Sequence, residues 1–142
     1  MRTIFAFFLA FAVSAAISCS IPNLEKPECT AARGAVNEFY SYHFGNEMKF
    51  SQENLKLRER FLSPELFQSL SQTHGEGDVF TTGTSDIPKA FRTGACEVTA
   101  PDRTRLEVLL FWRDNTRSEQ RAIHVEAAKR GDKWLVDKIL DR

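Results

Sequence analysis

Two hydrophobic periods divide the chain. In its first half Val36, Phe39, Tyr40, His43 and Phe44 fall at i, i+3, i+4, i+7 and i+8, one face of a helix. Thr30 is placed to cap that helix at its start and Gly45 at its end. A second helical stretch runs from about Glu53 to Phe61. Ser63-Pro64-Glu65 then restarts the pattern, with Ser63 as N-cap, Pro64 at the first helical position, and Leu66, Phe67 and Leu70 on the apolar side. The segment from Thr73 to Pro88 is rich in Gly, Ser, Thr and Asp and reads as a long loop with a short strand around Val79-Phe80. After Pro88 the period falls to two. Ala90 to Thr99, Leu106 to Arg113, Arg121 to Lys129 and Lys133 to Leu140 read as four strands, separated by Ala100-Pro101-Asp102, Asp114-Asn115-Thr116 and Arg130-Gly131-Asp132. Helices followed by a strand meander predict an α+β domain, the N-terminal helices packed on one antiparallel sheet of about four strands.

Pairing the hairpins symmetrically about their turns assigns the faces. One face then holds Leu109, Phe111, Ile123, Val125, Leu135 and Ile139; the other holds Leu106, Val108, Leu110, Trp112, Trp134 and Val136, with His124 and Glu126 among them. Both come out largely apolar. Such a sheet needs two covers, the helices on one side and either remaining segments or a second copy of the chain on the other, which makes a homodimer through the sheet an expected partner mode.

The block 1–18 obeys neither period. Fourteen of its residues are apolar and its one charge is Arg2: a short positive start, an uncharged run from Ile4 to Ile17, then small residues at Ser18 and Ser20, the organisation of a secretory signal. The run is short of the roughly twenty residues that span a bilayer, and Pro22 and Asn23 oppose its extension into an uncleaved anchor. Removing the block leaves 124 residues with eighteen basic and nineteen acidic side chains, so no basic footprint for nucleic acid remains. Ala16-Ile17-Ser18-Cys19 resembles a bacterial lipobox, with Ala16 where Leu is usual. The resemblance implies that Cys19 is diacylated and becomes the N-terminus, two acyl chains holding what one would hold only marginally. Ser20 after the cysteine implies sorting to the outer membrane. Ordinary cleavage after Ala16 is the competing reading and would give a soluble secreted protein. Consuming Cys19 leaves Cys29 and Cys96 as an even pair, whose bridge would close a loop of 67 positions and stabilise by roughly 4 kcal/mol; two reduced, buried thiols are the alternative. The expected organisation is a signal at 1–18, a tether at 19–29 carrying the anchor, and one domain at 30–142.

Templates for chemistry are sparse. No Cys-x-x-Cys, His-Glu-x-x-His, Gly-x-Ser-x-Gly or Gly-rich phosphate loop occurs, and His43, His74 and His124 are too scattered to form a ligand set, so neither metal nor cofactor is expected. His124 and Glu126 lie two apart on one strand, beside Leu110, Trp112 and Trp134 in the symmetric register. In an apolar pocket they could serve as acid and base; paired across strands, for example Glu126 with Lys138, they would be structural. Phe91-Arg92 could receive an anionic ligand at a strand entrance, or Arg92 could pair with Asp78 or Asp86. Tyr40, Tyr42 and His43 could rim a pocket mouth or pack in the core. Arg130-Gly131-Asp132 spells an adhesion tripeptide but is also what a tight hairpin needs.

The helical first half, the meander and the ending Gly131-Asp132-Lys133-Trp134-Leu135-Val136-Asp137-Lys138-Ile139 resemble the nuclear-transport-factor-like, or cystatin-like, cone fold. Ile87 to Gly94 and Leu109 to Asp114 extend the likeness to a family of small secreted bacterial proteins with that fold, many of them lipoproteins. The resemblance spans roughly 30–142. It implies a curved sheet with a ligand-sized concavity, in a superfamily that holds ketosteroid isomerase and limonene-epoxide hydrolase beside transport adaptors and non-enzymes. The leading expectation is a membrane-anchored periplasmic domain that binds a small ligand or an envelope protein without catalysis, through a pocket built on Tyr40, His43, Phe91, Arg92, Trp112 and Trp134. The alternative is a small-molecule isomerase or hydrolase using His124 and Glu126.

Overall fold

The computed structural model describes residues 24–140; the leader, the anchor Cys19 and the tether through Asn23 lie outside them. Helix α1 (Pro27–Phe44) begins three residues before the expected cap. Pro27 occupies the first turn, where its missing N–H costs nothing, and Glu28 faces the positive end of the dipole. The Thr30 N–H is already inside the helix, donating to the Lys26 carbonyl at 3.0 Å. At the far end Gly45 donates back to the Ser41 carbonyl as expected. Helix α2 (Gln52–Arg58) is capped by the Ser51 hydroxyl and continues as a tight turn through Glu59–Phe61, and α3 (Pro64–Ser71) is capped by Ser63.

Strands β1 (Ala90–Ala100), β2 (Arg103–Arg113), β3 (Ser118–Arg130) and β4 (Lys133–Leu140) form one antiparallel sheet in sequence order. The symmetric register is wrong by one residue between β2 and β3. Asp114 accepts from the amides of Thr116 and Arg117 and donates its own N–H to the Arg117 carbonyl, which makes the connection a four-residue loop closed by Arg113 opposite Ser118. That moves the centre of pairing by half a residue and turns every β3 side chain to the other face. Leu106 therefore faces Val125 and Val108 faces Ile123, while His124 faces Glu107. Between β3 and β4 a two-residue turn with Gly131 at φ +59° sets the register, and an extra residue at Asp137 then shifts it, so that Ile139 pairs with Val125.

The outcome is one apolar face rather than two. Leu106, Val108, Leu110, Trp112, Ile123, Val125, Ala127, Val136 and Ile139 are buried on the inner face under the helices. The outer face mixes Arg92, Arg105, Glu107, Gln120, His124 and Lys138 with Leu109 and Phe111. Helix α1 lies along the inner face antiparallel to β1. It is fixed by the Cys29–Cys96 disulfide (Cα to Cα 5.9 Å), by Arg33 donating to the Gly94 carbonyl at 2.6 Å, and by Thr93 donating to Asn37 at 3.2 Å. Leu62 and Ser63 bridge the outer edge of β4 at Val136. The long loop forms no strand at Val79-Phe80; the two sit in a turn and are buried. The loop instead closes on itself, with Gly77 so near Gly83 that a Cβ would stand 2.3 Å from its carbonyl oxygen.

Thr104, fully buried on the inner face opposite Ala127, has a hydroxyl with no hydrogen-bond partner among the described residues. Its desolvation is uncompensated. Thr104→Val keeps the shape and removes the hydroxyl, and is expected to raise stability by about 1 kcal/mol; urea unfolding of the two proteins measures it, and an unchanged or lowered midpoint would show that the hydroxyl is satisfied.

Candidate functional site

The inner face is where a cone fold would hold a ligand, and here side chains fill it. Phe39 meets Tyr40, Phe61 and Phe80 edge-on at centroid distances of 4.9, 5.9 and 5.1 Å, and Phe91, half-buried, packs on Tyr40 and Phe44. Below the rings runs a closed polar chain. Arg58 donates from Nε to His43 Nδ1 at 2.8 Å, and His43 Nε2 stands 3.0 Å from both oxygens of Asp78. Because a guanidinium can only donate, Nδ1 must accept, and the ring proton sits on Nε2, pointing at the carboxylate. Asp78 also accepts from the Phe80 amide and the Thr81 hydroxyl, and Arg58 is completed by the Asn54 and Glu47 carbonyls. Burial lowers the Arg58 pKa, against the opposing pull of Tyr42, Asp78 and Glu47. His43, Arg58 and Asp78 are each no more than 1% exposed.

Tyr40 and His43 are therefore core residues and not a pocket rim. The Tyr40 hydroxyl donates to the Phe80 carbonyl at 2.7 Å. Both nitrogens of His43 are committed, so the ring has no site left for a ligand. The sequence offers Asp78 only as a partner for Arg92 and does not single out Arg58; the signal for Arg58 is its place three residues after Leu55, on the buried side of α2.

His124 and Glu126 share a face, but it is the outer one, away from Leu110 and Trp112. Glu126 is held by Arg103 and by Lys138, each at 2.9 Å, which is the cross-strand pairing of the structural alternative. His124 is half-buried between Glu107 and Leu140 in the register. Phe91 and Arg92 point to opposite faces: Phe91 joins the core, whereas Arg92 is exposed opposite Leu109 and pairs with neither Asp78 nor Asp86. Asp86 instead takes a two-pronged contact from Arg117 at 3.0 Å, and that bond holds its carboxyl below the ordinary range. Trp112, buried, has the Arg117 and Arg121 guanidiniums each 5.2 Å from its ring and donates to the Asp86 carbonyl. The predicted pocket residues thus divide among the core, the outer face and the rim.

What remains open are grooves. One of about 490 Å³ lies between α3 and the last residues of β4, with Leu66, Leu70, Val79 and Ile139 as its apolar lining and Arg103, Arg130 and Asp137 on its charged side. Asp137 accepts from Arg103 at 2.8 Å; burial raises its pKa, but the Ser63 hydroxyl and Arg103 outweigh it, and the net shift is downward from 3.8. A second, of about 580 Å³, runs between α1 and the β3–β4 hairpin and is lined by half-buried Trp134 together with Arg60, Phe61 and Glu38. Neither groove is lined by His124 or Glu126. Among the described residues the one set with metal-ligand spacing is Glu25, Cys29 and Cys96, and its two sulfurs are consumed in the disulfide.

No family model matches the chain, and no curated protein matches it by sequence. Among solved structures, an Ntf2-like protein involved in plasmid conjugation superposes with a TM-score of 0.50 at 14% identity. The superposition covers 100% of this chain and 47% of that one, so the chain spans about half the length of its structural neighbour. The likeness shows the fold: three helices on a curved four-stranded antiparallel sheet, the nuclear-transport-factor-like cone.

Two outcomes follow from the polar contacts. Arg58→Met leaves Asp78 and His43 buried without their cation and is expected to cost about 3–5 kcal/mol, a large fraction of the roughly 5–15 kcal/mol that holds a domain folded. Adding Asp78→Asn is expected to cost much less than the sum of the two single changes, a coupling read from a double-mutant cycle in urea. The lowered carboxyl of Asp137 adds stability that is full above its ordinary 3.8 and drains away as pH falls below it. Asp137→Asn should flatten that acid limb; an identical pH profile in the variant would refute the contribution.

Proposed function

We propose that the chain is a non-catalytic binding domain of the bacterial cell envelope, exported by residues 1–18 and held at the outer membrane through a diacylated Cys19. The observation that supports it most is the filled cone. A small-molecule isomerase or hydrolase of this fold needs an enclosed, desolvated cavity with an acid or base aimed into it. Here the concave face is occupied by Phe39, Tyr40, Phe61, Phe80 and the Arg58–His43–Asp78 chain, and the two grooves described above are open clefts on the surface.

Three further features support the reading. The Cys29–Cys96 disulfide belongs to an oxidising compartment, in agreement with an exported chain. The leader and Ala16-Ile17-Ser18-Cys19 resemble those of a lipoprotein, with Ala16 in place of the usual Leu. Pairing two of three cysteines leaves Cys19 free for the lipid. The catalytic alternative, with His124 and Glu126 as acid and base, loses its pocket: the two lie on the outer face, and Glu126 is bonded to two cations.

Mass spectrometry of the protein extracted from bacterial membranes tests the proposal. The expected species begins at Cys19 and carries a diacylglycerol with an amide-linked acyl chain, and Cys19→Ala shifts the protein to the soluble fraction. A chain beginning at Ile17 with an unmodified Cys19 would overturn the anchoring.

A further inference from the structure

The arginines of this domain divide into two sets. Arg33 pairs with Glu25, Arg103 with Glu126 and Asp137, Arg117 with Asp86 and Glu119, Arg121 with Glu119, and Arg130 with Glu65. Arg58 is spent on His43, and Arg60 lies against the rings of Tyr42 and Phe61 at 5.1 and 4.6 Å. Arg92, Arg105 and Arg113 make no ion pair or hydrogen bond to the described residues through their guanidiniums, and all three are exposed. Strand pairing puts them on the same face: Arg92 opposite Leu109, Arg105 between Glu97 and Glu126, and Arg113 opposite Ser118. That is the outer face, where Gln120 and Ala122 are also exposed and Phe111 is half-buried.

Spacing decides what such a set can bind. Arg105 and Arg113 are eight positions apart on β2, about 26 Å along the strand, and Arg92 stands beside position 109, midway. Three cations in line at intervals of about 13 Å exceed the reach of a small anion. Four strands of about eleven residues present a face of roughly 700 Å², close to the roughly 800 Å² that each side contributes to a standard protein interface. Charge is segregated in the same sense: residues 24–88 hold six basic and ten acidic side chains, residues 89–140 eleven basic and eight acidic. A second copy docked face to face would oppose two surfaces of the same sign. A nucleic acid strand carries a phosphate on every nucleotide and cannot skip the carboxylates of Glu97, Glu107 and Glu126 interleaved on this face, whereas an extended peptide can set uncharged side chains opposite them.

We propose that the outer face of the sheet docks an extended acidic segment of a partner protein. In an extended chain residues four apart are separated by about 13 Å, so carboxylates at every fourth position match Arg105, Arg92 and Arg113, and intervening apolar side chains meet Phe111 and Ala122. The inference rests on the reading of the chain as a binding domain and adds the face and the chemistry of its partner.

The probe is a synthetic peptide with Glu at three positions spaced by four, Val and Thr between them, titrated into the full processed chain and followed by amide chemical shifts. Shifts are expected around Arg92, Arg105, Phe111 and Arg113, and binding is expected to weaken by more than about tenfold on Arg105→Glu with Arg113→Glu and to fall with added salt. Arg105 stands between Glu97 and Glu126 in the register, so the reversal is expected to lower the unfolding midpoint; Arg105→Gln with Arg113→Gln removes the two cations without opposing like charges, should leave the midpoint nearly unchanged, and must weaken binding as well. Absence of binding, shifts confined to the helices, equal binding by a peptide with its three Glu adjacent, tighter binding by oligothymidylate, or self-association through this face would each overturn the proposal. The measurement is indifferent to lipid: an unmodified Cys19 sinks the anchoring and leaves the docking face standing, while a lipidated protein that ignores the peptide does the reverse.

Discussion

The chain from Arg58 through His43 to Asp78 is the constraint on which the helical half depends. Three segments with little else in common meet there: α2 supplies the guanidinium, the end of α1 the imidazole, and the long loop the carboxylate. The sixteen-residue loop, rich in Gly, Ser and Thr, has only Val79 and Phe80 buried in the core to hold it down. Asp78 holds it, accepting from its own turn at Phe80 and Thr81 and from α1 at once. Placing Phe80 against Phe39 then seals the concavity. The same contacts that order the loop are those that remove the ligand cavity, so the closed cone is a consequence of how this loop is anchored.

The second constraint is a half-residue displacement. Asp114 turns the β2–β3 connection into a four-residue loop, and the whole of β3 presents its Ile123 and Val125 inward. Sheet pairing propagates a local choice at one carboxylate along eleven pairs, and for that reason the outer face is polar and His124 and Glu126 lie on it. The extra residue at Asp137 repairs the phase on β4, returning Ile139 to the core while setting a carboxylate beside Arg103 and Ser63.

Period and punctuation in the sequence sufficed for the elements. The Ser63-Pro64-Glu65 start, the Gly45 stop, the four strand runs and the Gly131-Asp132 turn are local signals, each read from two or three neighbouring residues, and each is found in place. The faces of the sheet were not legible, because a three-residue and a four-residue turn at Asp114 look alike until its side chain is seen to accept from two amides. The polar chain was half legible: His43 shows as a member of the apolar stripe of α1, but its partners come from 15 and 35 positions away, and no spacing rule joins them. Phe91 and Arg92 are adjacent in sequence and suggest one site, but strand alternation sends neighbours to opposite faces.

Topology gives the proposed tether a geometric meaning. Helix α1 runs antiparallel to β1, with Cys29 at Cys96, Arg33 at Gly94, Asn37 at Thr93 and Tyr40 at Phe91. The start of α1 therefore lies at the end of the sheet where Ala100 turns to Arg103 and Arg130 turns to Lys133, whereas the Asp114 turn lies at the opposite end. On the proposed anchoring, a lipid at Cys19 would join the domain at the first of these ends, the strands would run away from the bilayer, and the outer face, parallel to them, would stand side-on to the membrane. A partner segment laid along Arg105, Arg92 and Arg113 would run roughly along the membrane normal, a direction open to a protein that crosses the space between two membranes and closed to the headgroups of the membrane holding the anchor. In this arrangement the anchor and the docking face act on different neighbours without competing for one surface.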